Sequence, residues 1–132
     1  GQYAGGKLSD RVPPTLGIAG VFAGLFVVAV AFVPAARAGL VPLLAASVLL
    51  GFFLFALQPL YQATIAVYTP PDGRGLSYGY TYLASFGVGA AGATVVGSLL
   101  TALGVAETFL VLAAFPAFGG GFALALYRWD PV

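Results

Sequence analysis

The chain has 132 residues, 61% of them hydrophobic and 7% charged, with a formal net charge of +1. A typical soluble domain carries about 25% charged residues, so a water-facing surface cannot be built from this set, and no basic patch for nucleic acid exists. Cys and His are both absent, which excludes disulfides and thiolate metal sites and removes the commonest metal ligand and physiological-pH proton carrier.

The charges cluster and leave uncharged stretches of 25, 34, 32 and 20 residues at 12–36, 38–71, 75–106 and 108–127. Each is long enough for the roughly 20 apolar residues that cross a bilayer core. None shows the period-2 alternation of barrel strands, which need only about 10 residues each. The expected fold is an all-α membrane protein with four transmembrane helices. Met is also absent, which leads to the expectation that the chain is part of a longer protein. The start lacks the apolar core and cleavage site of a signal peptide.

In chain order, GQYAGGKLSDRV reads as a Gly-rich polar loop, with room for the tail of an earlier helix. Pro13-Pro14 suits a helix entrance, where a missing N–H costs nothing. The first span is expected over about 15–33, with Pro34 and Arg37 marking its exit. The second is expected over 40–68, with Pro42 in its first turn and a tilt or bend at Pro59. Pro70-Pro71-Asp72-Gly73 is a turn signal. The third span is expected over 76–103, closed by Gly104, and the fourth over 108–127, with 130–132 as a frayed end. Four crossings place both ends on one side, whose loops hold Lys7, Arg11, Arg74 and Arg128, against Arg37 alone on the other. The positive-inside rule then makes both ends cytoplasmic in an integral inner cell membrane. Tyr68, Tyr78, Tyr127 and Trp129 fall at that boundary, as an aromatic belt should.

Polar residues are unevenly shared among the spans. The second carries Ser47, Gln58, Tyr61, Gln62 and Thr64. The third carries Ser77, Thr81, Tyr82, Ser85, Thr94, Ser98 and Thr101. A side-chain amide facing lipid is costly, so Gln58 and Gln62, four apart and hence on one helical face, should meet protein or a water-filled cavity. On this reading spans two and three are interior, and spans one and four are lipid-facing scaffold. The glutamines have two readings: an interhelical hydrogen bond, or the wall of a solute cavity, which Pro59 favours because a broken helix frees carbonyls. Ser85 and Thr94 are further cavity candidates. Ser85, Gly89, Ala93, Gly97 and Thr101 recur every four residues, a small-residue ridge that lets another helix approach. Ala113, Ala117, Gly121 and Ala125 form a similar ridge, as does Gly20-x-x-x-Gly24. The plain alternative is that small residues are common in membrane helices.

Gly6-Lys7-Leu8-Ser9-Asp10-Arg11 directly precedes a span. Asp10 can accept hydrogen bonds from a helix N-terminus, and Arg11 can pair with a carboxylate or lipid phosphate; a solvated loop is the plain alternative. This hexapeptide resembles the G-x-L-x-D-R loop of the major facilitator superfamily. Pro70-Pro71-Asp72-Gly73-Arg74-Gly75 with Gly79 is similar to the family's P-x-x-x-R-G-x-x-x-G, two spans further on. Val12-Pro13-Pro14 in place of Gly and further basic residues, and Gly92-Ala93 in place of a Gly-Pro pair, match the second half of such a transporter, helices nine to twelve. The stretch from Gln58-Pro59 to Gly79 resembles the drug-efflux branch related to fosmidomycin-resistance proteins. The resemblance implies secondary transport of a small solute by alternating access, with the N-terminal half as partner and any proton or ion coupling placed there. It implies that Gly6, Asp10, Arg11, Arg74 and Gly75 form gating loops and that Gln58, Tyr61 and Gln62 line the cavity. No cofactor, metal or enzymatic activity is expected, because acid/base chemistry needs a titratable group in the site. The alternatives are a non-transporting four-helix subunit and a small dimeric multidrug exporter. The exporter lacks the in-span acid that its proton coupling needs.

Overall fold

The computed structural model describes residues 1–129 and is all-helical over them: α1 (Gln2–Ser9), α2 (Pro14–Ala38), α3 (Leu40–Tyr68), α4 (Arg74–Leu103) and α5 (Val105–Trp129). The four long helices have mean hydropathies of 2.6, 2.6, 1.7 and 2.0 over their most apolar windows. At a rise of about 1.5 Å per residue each outruns a ~30 Å hydrocarbon core. The chain is that of a multi-pass membrane protein. The expectation for 130–132 lies outside the described residues.

The first twelve residues depart from the expected loop, because 2–9 are helical. Gly1 and Gly5 lie four apart and let α1 press its backbone onto α3. A Cβ at Gly5 would overlap the Ala56 carbonyl, and one at Gly1 the Phe52 carbonyl. Here glycine is a packing surface, and tertiary contact overrides its poor helix propensity. Pro34 does not end α2, which continues to Ala38. So close to the helix end the proline forfeits only its bond to the Val30 carbonyl. α3 likewise runs unbroken past Pro59.

Two connections are single residues. Gly39 (φ 128°) joins α2 to α3, and Gly104 (φ 88°) joins α4 to α5. Any side chain at such a φ would be strained, so glycine is what permits each reversal. The link between α3 and α4, at 69–73, is a turn in which the Gly73 N–H donates to the Pro70 carbonyl at 3.0 Å. Glu107 in the first turn of α5 and Arg128 in its last both complement the helix dipole.

Within the chain α2 is the central helix, packed along its length against α3 and α5. Its buried residues are Thr15, Gly17, Ala19, Val21, Leu25 and Val28, whereas α4 buries none. Within this chain the first span is thus the more buried and the third the more open. Polarity marks where a helix needs hydrogen-bond partners. Close packing in a membrane follows instead from small residues set opposite large ones. Leu60, fully buried, sits against Gly17, the Phe53 ring sits against Gly24, and Phe22 sits against Gly119 and Gly120. Val21, Leu25, Ala56 and Leu60 form the resulting core, and Phe32 stacks on Phe109 at 4.8 Å near the glycine end of the bundle. The buried small residues of α5 are Ala113, Gly120 and Ala123. Ala117, Gly121 and Ala125 of the anticipated ridge face outward.

Candidate functional site

α3 and α4 leave the 69–73 turn as a wedge. Three hydrogen bonds hold its narrow end. The Gln62 amide donates Nε2–H to Tyr82 Oη at 2.9 Å, and the Tyr78 hydroxyl donates to the Gln62 carbonyl at 3.0 Å. Arg74 Nη2 reaches back over the turn to the Ala66 carbonyl at 3.1 Å. That carbonyl lies in the last turn of α3, where intrahelical partners run out and a cation is favoured. Arg74 therefore joins the two helices even though it opens α4, where its own helix dipole disfavours positive charge.

Beyond this clasp the helices part around a cavity of about 480 Å³. Gln58 and Tyr61 line it from α3, and Tyr82, Ser85 and Phe86 from α4. Small-molecule sites run to about 300–1,000 Å³, mostly apolar with a few placed polar groups; this groove has that size and make-up, with Leu54, Phe55, Ser85 and Phe86 on its walls exposed. The Gln58 carbonyl oxygen accepts Gln2 Nε2–H from α1 at 2.8 Å. The Gln58 amide nitrogen and the Ser85 hydroxyl have no protein partner among the described residues. An apolar cleft of about 540 Å³ opens beside it, between α2, α3 and α5, with Phe22, Leu25, Phe109 and Leu112 on its walls. Leu54 and Leu57 line both spaces.

Of the residues singled out from sequence, Gln58, Tyr61 and Ser85 meet at the cavity, and Gln62 stands behind it, holding Tyr82. Thr94 lies further along α4, exposed, its carbonyl accepting the Ser98 hydroxyl at 3.0 Å. Gly89, Ala93 and Gly97 are exposed, and a Cβ at either glycine would meet nothing within 4 Å. No described helix covers that ridge. Asp10 and Arg11 are exposed in the turn between α1 and α2, where the Asp10 N–H donates to the Gly6 carbonyl at 3.3 Å. Gly75 is exposed at the start of α4. The described residues contain no cluster of His, Asp or Glu able to hold a metal ion.

Sequence reasoning missed Gln2, Tyr82 and the leucine pair. Tyr78 and Tyr82 are four apart, as are Gln58 and Gln62, so each helix carries its polar groups on one face. Matching those two faces across the turn would have found Tyr82. Nothing in the sequence marked Gln2, because its segment reads as a loop. Compared with known protein families, with curated proteins and with solved structures, the chain matches none of them.

Proposed function

We propose that the chain forms helices nine to twelve of a major-facilitator-type secondary transporter. A small solute would be moved by alternating access through the space between α3 and α4. The observation that carries this reading is the convergence of Gln58, Tyr61, Tyr82 and Ser85, from two membrane-crossing helices, on one cavity. Alternating access needs a site at membrane depth whose walls move apart, and α3 and α4 are clasped at one end and separated beyond it. The two loop motifs add to this reading. Gly6 to Ser9 end α1 and Asp10-Arg11 lead on toward α2, while Arg74-Gly75 opens α4 two spans on, at the same end of the bundle. The excess of Lys and Arg at that end makes it the cytoplasmic one. The exposed Gly89, Ala93 and Gly97 of α4 would seat the N-terminal half, which would also supply any ion coupling.

The test is single-cysteine labelling of the complete transporter in proteoliposomes. Ser85→Cys should react with a membrane-impermeant maleimide from either side, and a solute that is transported should shift that balance. Gln58→Leu should reduce flux at least tenfold. Solute-independent labelling from one side only, with no flux of any solute tried, would overturn the proposal.

A further inference from the structure

The polar cavity and the apolar cleft are neighbours that share Leu54 and Leu57 as wall residues. No charged side chain among the described residues lines either space. An ionic solute seated there would lose its hydration with no counter-charge, a cost of several kcal/mol or more. The part of an occupant that meets these walls is therefore uncharged. The polar end is also biased in kind. The Gln58 acceptor is already taken by Gln2, and Tyr82 Oη already accepts from Gln62. What remains unpaired is the Gln58 N–H pair, which can only donate, and the Ser85 hydroxyl, which can donate or accept. A ligand offering only donors would leave the Gln58 N–H pair unmatched.

We infer that the two spaces together take an uncharged lipophile bearing a neutral acceptor oxygen, of the ketone, ester or ether class. Its oxygen lies toward Gln58 and Ser85, and its apolar body passes over Leu54 and Leu57 toward Phe109 and Leu112. The inference rests on the transport reading only in taking this molecule to be the solute; occupancy itself is measured separately.

The test uses benzophenone, an uncharged diaryl ketone that inserts into neighbouring C–H bonds on irradiation, with the purified chain in lipid nanodiscs. Labelling should saturate and concentrate on peptides containing 54–61 and 82–86. Acetophenone should compete for it. Diphenylmethane, which lacks the oxygen, and a quaternary-ammonium benzophenone of similar size should compete at least tenfold less well. Gln58→Leu should raise the half-saturating concentration about tenfold, the loss of roughly 1.4 kcal/mol. Ser85→Ala, on an exposed face where folding is not at stake, should raise it severalfold. Unsaturable labelling spread over outward residues such as Phe118 and Phe122 would mean simple partition into lipid and would sink the idea. So would equal competition by the cation, or both variants labelling like the parent chain. Saturable labelling without flux in the complete transporter would retire the transport reading and leave this ligand class standing. Flux with unsaturable labelling would do the reverse.

Discussion

The molecule contains two helical hairpins of the same design that behave differently. α2–α3 and α4–α5 are each reversed by one positive-φ glycine, at 39 and 104. The first hairpin packs along its length, while the second touches itself sparingly and α4 buries nothing. Glycine content does not separate them, because α4 has Gly75, Gly79, Gly87, Gly89, Gly92 and Gly97. The difference lies in what stands opposite. Gly17 and Gly24 each receive a large side chain, Leu60 and Phe53, whereas a Cβ at any of the six α4 glycines would meet nothing within 4 Å. A small residue makes a notch, and only a bulky partner at the facing position turns the notch into a contact.

The largest effect should come from emptying a filled notch. Leu60 is 0% exposed, and burying apolar atoms against protein rather than lipid brings little transfer energy. Its loss is then mainly a cavity cost, and Leu60→Ala should destabilise by about 2 kcal/mol, the low end for such truncations. Leu83 of α4 is 70% exposed, and Leu83→Ala should leave stability within about 0.5 kcal/mol. Unfolding titrations in mixed micelles compare the two directly. Equal losses would mean that the hairpins do not differ as described.

Filling notches gives the next largest contrast. Gly24→Val pushes into the Phe53 ring and should cost about 1–3 kcal/mol as an overpacking change. Adding Phe53→Leu should recover part of that, a coupling of about 0.5–3 kcal/mol expected of touching residues. Gly89→Val adds two methyl groups to open space and should be nearly neutral in the 132-residue chain. If it is neutral here and damaging in the proposed larger transporter, the α4 ridge is where the proposed second half would pack.

The existence of the four long helices was legible because charge exclusion over bilayer length is a strong, local signal. The packing order was not legible, since it depends on which residues face one another. Gly17 and Gly24 look no different in sequence from Gly89 and Gly97. α1 was hidden for the same reason: Gly1 and Gly5 read as loop signals until Phe52 and Ala56 stand against them. Of the cavity, Gln58, Tyr61 and Ser85 could be read, because amides and hydroxyls in an apolar span need partners. Leu54 and Leu57 could not, since a leucine in a membrane helix carries no mark of which surface it serves.

The smallest predicted effect bears on the clasp that ties α4 to α3, two helices that otherwise touch little. Tyr82→Phe removes the acceptor of the Gln62 bond and keeps the ring, which stacks with Phe86 at 6.1 Å. Hydrogen bonds between membrane helices average about 0.6 kcal/mol, so global stability should hardly change. The geometry should change more, because so few other contacts join α4 to α3. Spin labels at Leu54→Cys and Phe86→Cys, across the cavity from each other, should show a broader distance distribution in Tyr82→Phe than in the parent. A pair at Val21→Cys and Ala56→Cys within the packed core should show no change. Because a bond of this size cannot hold a helix against any substantial opposing force, an unchanged distribution across the cavity would mean that something other than the clasp fixes α4. The wedge would then be a rigid feature of the fold, and no movement of α3 against α4 could be built on it.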